Sequence, residues 1–202
     1  QCMTRRGLHV SYCPASASTT VEVKRRTDPL NDAPEPDCPT AENQPCGLRI
    51  ALYQPDIPGN TGTILRMAAC LGLAVDIIEP TGFDMTDRAL KRAGMDYLEM
   101  AALTRHVSWE HFEGWRRAQG RRLVLFTTKS ALPYTRFEYR DGDVLLFGRE
   151  SAGVPEHVHE AADAALTIPM REGARSLNLA VSAAMAAGEA LRQVNPLSAN
   201  VG

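Results

Sequence analysis

Leu145-Leu146-Phe147-Gly148-Arg149-Glu150-Ser151-Ala152-Gly153-Val154-Pro155 is the stretch on which the reading of this chain turns. It opens as a short apolar run of the kind that makes a buried strand. The run breaks at Gly148, crosses the polar pair Arg149–Glu150, breaks again at Gly153 and meets Pro155. Glu156 and His157 follow, so a helix with Pro155 at its first position is expected. A strand that ends in a glycine turn exposes backbone N–H groups, and open α/β sheets place ligands at such carboxyl ends. The plainer reading is a tight strand-to-helix turn carrying a solvated ion pair.

The same alternation extends outward. Upstream, residues 48–53 read as a strand, and Asn60 caps a helix to about residue 71 with Ile64, Ala68 and Leu71 on one face. A strand over 74–78, a short helix over 86–93 and a strand over 97–101 follow, then a helix capped by Ser108 that runs to about 119, and a strand over 123–127. Downstream come a helix over 155–162, a strand over 164–168, and a long Ala-rich helix that Ser176 caps and that ends near 193. Strands alternating with helices imply an α/β fold: a mainly parallel sheet covered by helices on both faces. The turn after the first strand, Asp56-Ile57-Pro58-Gly59-Asn60-Thr61-Gly62, is not the G-x-G-x-x-G dinucleotide fingerprint, and the chain has no P-loop. Ordinary dehydrogenase and NTPase readings are thereby weakened.

Residues 1–47 differ in character. They are rich in Ser, Thr, Pro, Asp and Glu, lack periodicity, and have no apolar segment suited to a secretory signal. We expect a disordered extension over 1–47, one globular domain over 48–195 and a short tail over 196–202. Of the 202 residues, 44% are hydrophobic and 23% charged, which places the chain in the soluble globular class, and no run approaches the length of a membrane span. The net charge of -2 is unlike that of a typical nucleic-acid-binding domain, so any RNA contact must use a local patch. The five cysteines match no zinc spacing and read as free thiols in a reducing cytoplasm; the five histidines show no metal spacing either, and no metal is expected.

Three turns, each after an expected strand, carry the polar residues most suited to chemistry: 60–66, 147–155 and 168–178. Asn60 reads as a helix cap or a site residue, and Arg66 as a solvated cation or a site residue beside apolar neighbours. Ser176 is a cap or part of an N–H-rich anion site. It is poorly placed as a nucleophile, because no G-x-S-x-G elbow exists. Arg88, Lys91 and Arg92 share a helical face that is either solvated or contacts phosphates, and Arg116, Arg117, Arg121 and Arg122 form a second cluster with the same two readings. The last helix is apolar almost all round and rich in small residues, which suggests burial against a second subunit.

Taken together, Asn60-Thr61-Gly62-Thr63-Ile64-Leu65-Arg66, Leu146–Pro155, and Ile168-Pro169-Met170 with Ser176-Leu177-Asn178 resemble the three motifs of the SpoU branch of the SPOUT RNA methyltransferases. The resemblance covers about residues 48–193. It is strongest to the small, single-domain type that methylates the wobble nucleotide of tRNA, which Ile77-Ile78-Glu79-Pro80, Arg92-Ala93-Gly94-Met95-Asp96-Tyr97 and Phe126-Thr127-Thr128-Lys129 also resemble. The resemblance implies a C-terminal trefoil knot, a homodimer in the cytoplasm, a tRNA anticodon stem-loop as partner, and S-adenosylmethionine as cofactor. It implies a cofactor pocket of Phe126, Thr127, Gly148, Ile168, Met170, Ser176 and Leu177, and polar catalytic positions at Asn60, Arg66, Glu150, Ser176 and Asn178. Arg88, Lys91, Arg92 and Arg149 are the candidate RNA contacts. Arg149 stands where relatives often have proline, and Val181 where some have a second asparagine.

The implied chemistry is methyl transfer from a sulfonium to a ribose 2′-hydroxyl, which needs alignment and proton removal. Arginine stays protonated in proteins, so Arg66 is better suited to holding a phosphate or stabilising the developing alkoxide than to acting as a base. The alternatives are a relative acting on ribosomal RNA or another tRNA site, and an RNA-binding module without catalysis; a generic nucleotide-binding α/β protein is disfavoured by the missing phosphate loops.

Overall fold

The computed structural model describes residues 47–84 and 102–194. The expected helix over 86–93 with Arg88, Lys91 and Arg92, the strand over 97–101, the extension before Gly47 and the tail over 196–202 lie outside the described residues. Among the described residues, six strands form one sheet: β1 Arg49–Tyr53, β2 Ala74–Ile78, β3 Leu103–His106, β4 Leu123–Phe126, β5 Val144–Phe147 and β6 Ala164–Leu166. Their order is β3-β2-β1-β5-β4-β6, and every neighbouring pair is parallel. Arg49 sits opposite both Ala74 and Val144, so the central strand β1 is paired on both sides.

Parallel strands need crossovers, and helices supply three of them here: α1 Pro58–Leu71, α2 Trp109–Ala118 and α3 Glu156–Glu160, while α4 Leu179–Val194 follows the last strand. Successive strand residues point to opposite faces. Ile50, Leu52, Val124, Leu145 and Phe147 pack on one face with Ile64, Leu65 and Ala68 of α1 and Ala183, Ala187 and Leu191 of α4. Ala51, Tyr53, Leu123, Leu125, Val144 and Leu146 pack on the other with Trp109 and Phe112 of α2 and Val158 of α3. The expected parallel sheet with helices on both faces is what the chain forms. Among the described residues, no helix is long and apolar enough to cross a membrane.

Two expected caps are corrected. Helix α1 begins two residues before Asn60: Ile57 is its N-cap, without a side-chain bond, and Pro58 opens the first turn. Proline suits that position because it lacks an N–H there is no partner for. Asn60 therefore lies inside the first turn with its side chain free for other partners. Helix α4 is capped by Asn178, whose Oδ1 accepts from the N–H groups of Ala180 (2.9 Å) and Val181 (3.3 Å), and not by Ser176. Ser108 does cap α2, accepting from the N–H of His111 at 3.3 Å.

Strand β3 follows immediately on the expected strand and was not itself expected, because Leu103-Thr104-Arg105-His106 is mostly polar. Its polar groups are paired. Asp76 is fully buried and accepts from Arg49 Nε at 2.6 Å and from His106 Nε2 at 2.8 Å, while Arg49 Nη2 also donates to Thr104. Most of the second arginine cluster is likewise structural. Buried Arg116 pairs with Glu113 and Asp163, Arg117 with Glu113, Arg122 with Asp143, and Arg121 donates to the carbonyls of Gly47 and Gly142.

Candidate active site

The carboxyl ends of β4, β5 and β6 lead into loops that enclose a cavity of about 550 Å³, within the roughly 300–1,000 Å³ range of small-molecule sites. It lies at the carboxyl edge of the sheet, where open α/β sheets place ligands. Phe126 and Phe147, at the ends of adjacent paired strands, stack with ring centroids 4.9 Å apart and line its floor. Ile168, Met170, Leu177 and Leu179 add apolar wall from the chain between β6 and α4.

All seven residues expected in the cofactor pocket line this cavity: Phe126, Thr127, Gly148, Ile168, Met170, Ser176 and Leu177. Of the expected catalytic positions, Asn60, Glu150, Ser176 and Asn178 line it as well. Arg66 does not. It is an exposed residue of α1 outside the cavity of its own chain.

Hydrogen bonds tie the three motifs together. Glu150 Oε1 accepts from Asn60 Nδ2 at 3.0 Å, and Glu150 Oε2 from the backbone N–H of Asp56 at 2.8 Å. Asn60 Oδ1 in turn accepts from Asn178 Nδ2 at 2.9 Å, and Asn178 Oδ1 caps α4. Each amide thus uses both ends, and both Glu150 oxygens have a donor. This arrangement holds the Glu150 carboxylate between Asn60 and the Asp56 backbone.

The turn after β5 is closed on itself. Arg149 N–H donates to Gly153 O at 2.9 Å and Gly153 N–H to Arg149 O at 2.8 Å. A Cβ on Gly148 would stand 2.5 Å from the carbonyl carbon of Gly153, so glycine is required by the close approach of the chain itself. Gly153 has φ +69°, a left-handed conformation that glycine adopts without penalty.

Asp56 and Ser151 are the site residues that sequence reasoning missed. The Asp56 carboxylate accepts from Arg149 Nη2 at 2.8 Å, from Arg149 Nε at 3.2 Å, and from the N–H and hydroxyl of Ser151. Arg149, and after it the Ser151 hydroxyl, hold the Asp56 carboxyl down at about 2. An acidic residue just before a proline-opened helix was the available signal, but its partner lies 93 residues away. Lys129 and His159 also line the cavity. Among the described residues, no group of three or more His, Cys, Asp or Glu is placed to hold a metal ion. The described cysteine, Cys70, is free and exposed.

Comparisons with known proteins agree with this geometry. A protein of Beijerinckia indica named tRNA (cytidine(34)-2′-O)-methyltransferase is 60% identical over 149 residues, covering 74% of this chain and 93% of that protein. A solved structure described as giving structural insights into the 2-OH methylation of C/U34 on tRNA superimposes with a TM-score of 0.70 at 42% identity, over 74% of this chain and 97% of that one. An rRNA methyltransferase from Sinorhizobium meliloti, solved with AdoMet bound, has a TM-score of 0.67 at 32% identity over 72% of this chain, but only 56% of its own length is covered. The model of the SpoU rRNA Methylase family matches residues 47–188. With these motifs joined at one cavity and these relatives, the chain belongs to the SpoU methylase family.

Proposed function

We propose that the chain is an S-adenosylmethionine-dependent tRNA methyltransferase that acts on the ribose 2′-hydroxyl of the wobble cytidine or uridine in the anticodon loop. The observation that carries this is the Glu150–Asn60–Asn178 tie, which joins three motifs at the mouth of one cavity. Near-complete coverage of a tRNA-modifying relative, against 56% coverage of the rRNA enzyme, favours tRNA over ribosomal RNA.

The cavity suits the cofactor. Phe126, Ile168, Met170 and Leu177 offer an apolar slot for the adenine ring, and Thr127, Ser176 and Asn178 offer polar groups for the ribose and amino-acid ends. When bound, S-adenosylmethionine supplies a methyl group on a positively charged sulfur. The closed turn at Gly148–Gly153 fixes the cavity wall, and Glu150, Asn60 and Asn178 hold the three motifs at a set spacing, so the acceptor hydroxyl meets an aligned site. Arg66 contributes a permanent cation that holds the adjoining phosphate or the developing alkoxide. Arg88, Lys91, Arg92 and Arg149 are the proposed contacts to the anticodon stem-loop; Arg149 makes its contact from a guanidinium already paired with Asp56. The reaction takes place in the cytoplasm.

We infer a homodimer from the outer face of α4, where Val181 and Met185 are exposed near Leu177. Arg66 stands outside its own cavity, so in a two-fold pair it would serve the partner's. We also infer the trefoil knot. Its support is that β6 lies beyond β4 at the sheet edge, whereas the next helix returns to pack on α1.

Incubation with labelled S-adenosylmethionine and total tRNA, followed by nucleoside mapping, tests the activity. Label in a wobble 2′-O-methyl nucleoside is expected. Label elsewhere moves the substrate, and no label with any RNA favours a binding-only protein. Arg66→Ala is expected to abolish methylation while cofactor binding survives; retained turnover would remove Arg66 from the mechanism. Sedimentation of the intact protein as monomer alone would remove the dimer.

A further inference from the structure

We propose that Asp56 is a positioning residue for the methyl-donor pocket: it clasps the turn after β5 through Arg149 and Ser151 and presents its own N–H to Glu150. The proposal rests on the functional reading above, since it assigns Asp56 to that same site.

The geometry has three parts. Gln54, the residue after β1, has φ 46°, a conformation that residues with a Cβ seldom adopt. It turns the chain out of the sheet so that Pro55 and Asp56 stand beside the turn after β5. There the Asp56 carboxylate receives both nitrogens of one edge of the Arg149 guanidinium, at 2.8 and 3.2 Å, and Arg149 Nη1 reaches Gln54 Oε1 at 3.4 Å. The other carboxylate oxygen receives the Ser151 N–H at 3.2 Å and the Ser151 hydroxyl. Finally, the Asp56 backbone N–H donates to Glu150 Oε2 at 2.8 Å.

One residue therefore contacts three consecutive residues of the turn: two through its side chain, and Glu150 between them through its backbone. Glu150 in turn holds Asn60, and Asn60 holds Asn178. Arg149, Glu150 and Ser151 all line the cavity, whereas Asp56 does not. Asp56 thus acts on the pocket through other residues. Two charge-assisted bonds converge on one Asp56 oxygen and the Ser151 donors hold the other, so the carboxylate is fixed from both sides.

The test uses the full chain with Asp56→Asn, Asp56→Glu, Arg149→Ala and the double variant Asp56→Asn/Arg149→Ala. Asp56→Asn is expected to raise the Kd and KM for S-adenosylmethionine about tenfold, the scale of one lost charge-assisted bond. The KM for tRNA should move less than that for S-adenosylmethionine, and the melting temperature should fall only slightly, because solvent reaches both side chains of the pair. Asp56→Glu should recover most of the affinity. The double variant should be no worse than the weaker single one, because both remove the same interaction. Hydrogen exchange without added cofactor supplies a readout that does not depend on activity: the amides of residues 149–153 should exchange faster in Asp56→Asn. Unchanged exchange there overturns the clasp, and so do additive losses in the double variant. An unaltered protein that binds no S-adenosylmethionine would sink the functional reading instead, and the exchange result would still decide whether the clasp exists.

Discussion

Asp76 and Asp56 each stand at the centre of a polar network anchored on an arginine, and they differ in what surrounds them. Asp76 is fully buried within the sheet, between Arg49 of β1 and His106 of β3, and Arg49 lies 5.0 Å from the Trp115 ring centroid of α2. Asp56 is at the carboxyl edge, with its side chain 19% exposed and that of Arg149 37% exposed. Both make short charge-assisted bonds. In the buried network, a lost partner leaves a desolvated group with nothing to replace it. At the edge, water replaces the partner, so the loss falls on the shape of a loop. The same chemistry thus secures the fold in one place and tunes a binding wall in the other.

Asp76→Ala is the strongest way to test this contrast. It leaves Arg49 and His106 without their shared acceptor and should destabilise the domain by about 3–5 kcal/mol in denaturant unfolding. An equal stability loss in Asp56→Ala would break the comparison. Gly148→Ala comes next. Its Cβ would be 2.5 Å from backbone that cannot yield cheaply, so the turn must move. Methyl transfer should slow about 100-fold, as expected for a displacement near 1 Å in a positioned site, and affinity for S-adenosylmethionine should fall with it. Calorimetric titration showing unchanged affinity would mean that the turn does not shape the pocket. Asn60→Ala is milder. It removes one link of the tie in a half-buried setting, at about 1 kcal/mol of stability and roughly tenfold in cofactor affinity.

The apolar half of this contrast was legible in the sequence. Runs such as Val144-Leu145-Leu146-Phe147, bounded by turn residues, gave the strands and their parallel sheet. The composition of the pocket was legible only through the motif resemblance, since nothing local in Ile168 or Ser176 says that they face Phe126. What stayed hidden depends on contacts distant along the chain. Strand β3 looks too polar until Asp76 and Arg49 are brought to it, 27 residues apart in sequence themselves. Asn60 resembles a cap because asparagine caps helices well; Pro58 starting the helix earlier is what frees it. Ser176 likewise gave way to Asn178, two residues nearer the first helical turn. Asp56 offers only an acidic side chain ahead of a proline-opened helix, and its partner Arg149 lies 93 residues away.

The smallest effect is expected in acid, and it sharpens the contrast. Arg149 first, and then Ser151, lower the Asp56 carboxyl in the folded protein from 3.8 to about 2. The unfolded chain therefore takes up this proton before the folded one does. The stabilisation is complete above 3.8 and drains away as pH falls toward about 2. Glu189, lowered to about 2 chiefly by Arg192, loses stabilisation over a similar range, but it is present in both proteins and cancels in a difference between them. Subtracting the acid unfolding curve of Asp56→Asn from that of the unaltered protein should leave a shallow slope confined to that window. Added salt should flatten it further, because both side chains of the pair are reached by solvent. Parallel curves would mean that Asp56 gains nothing from Arg149 in the folded state, and the edge network would then be a contact without consequence.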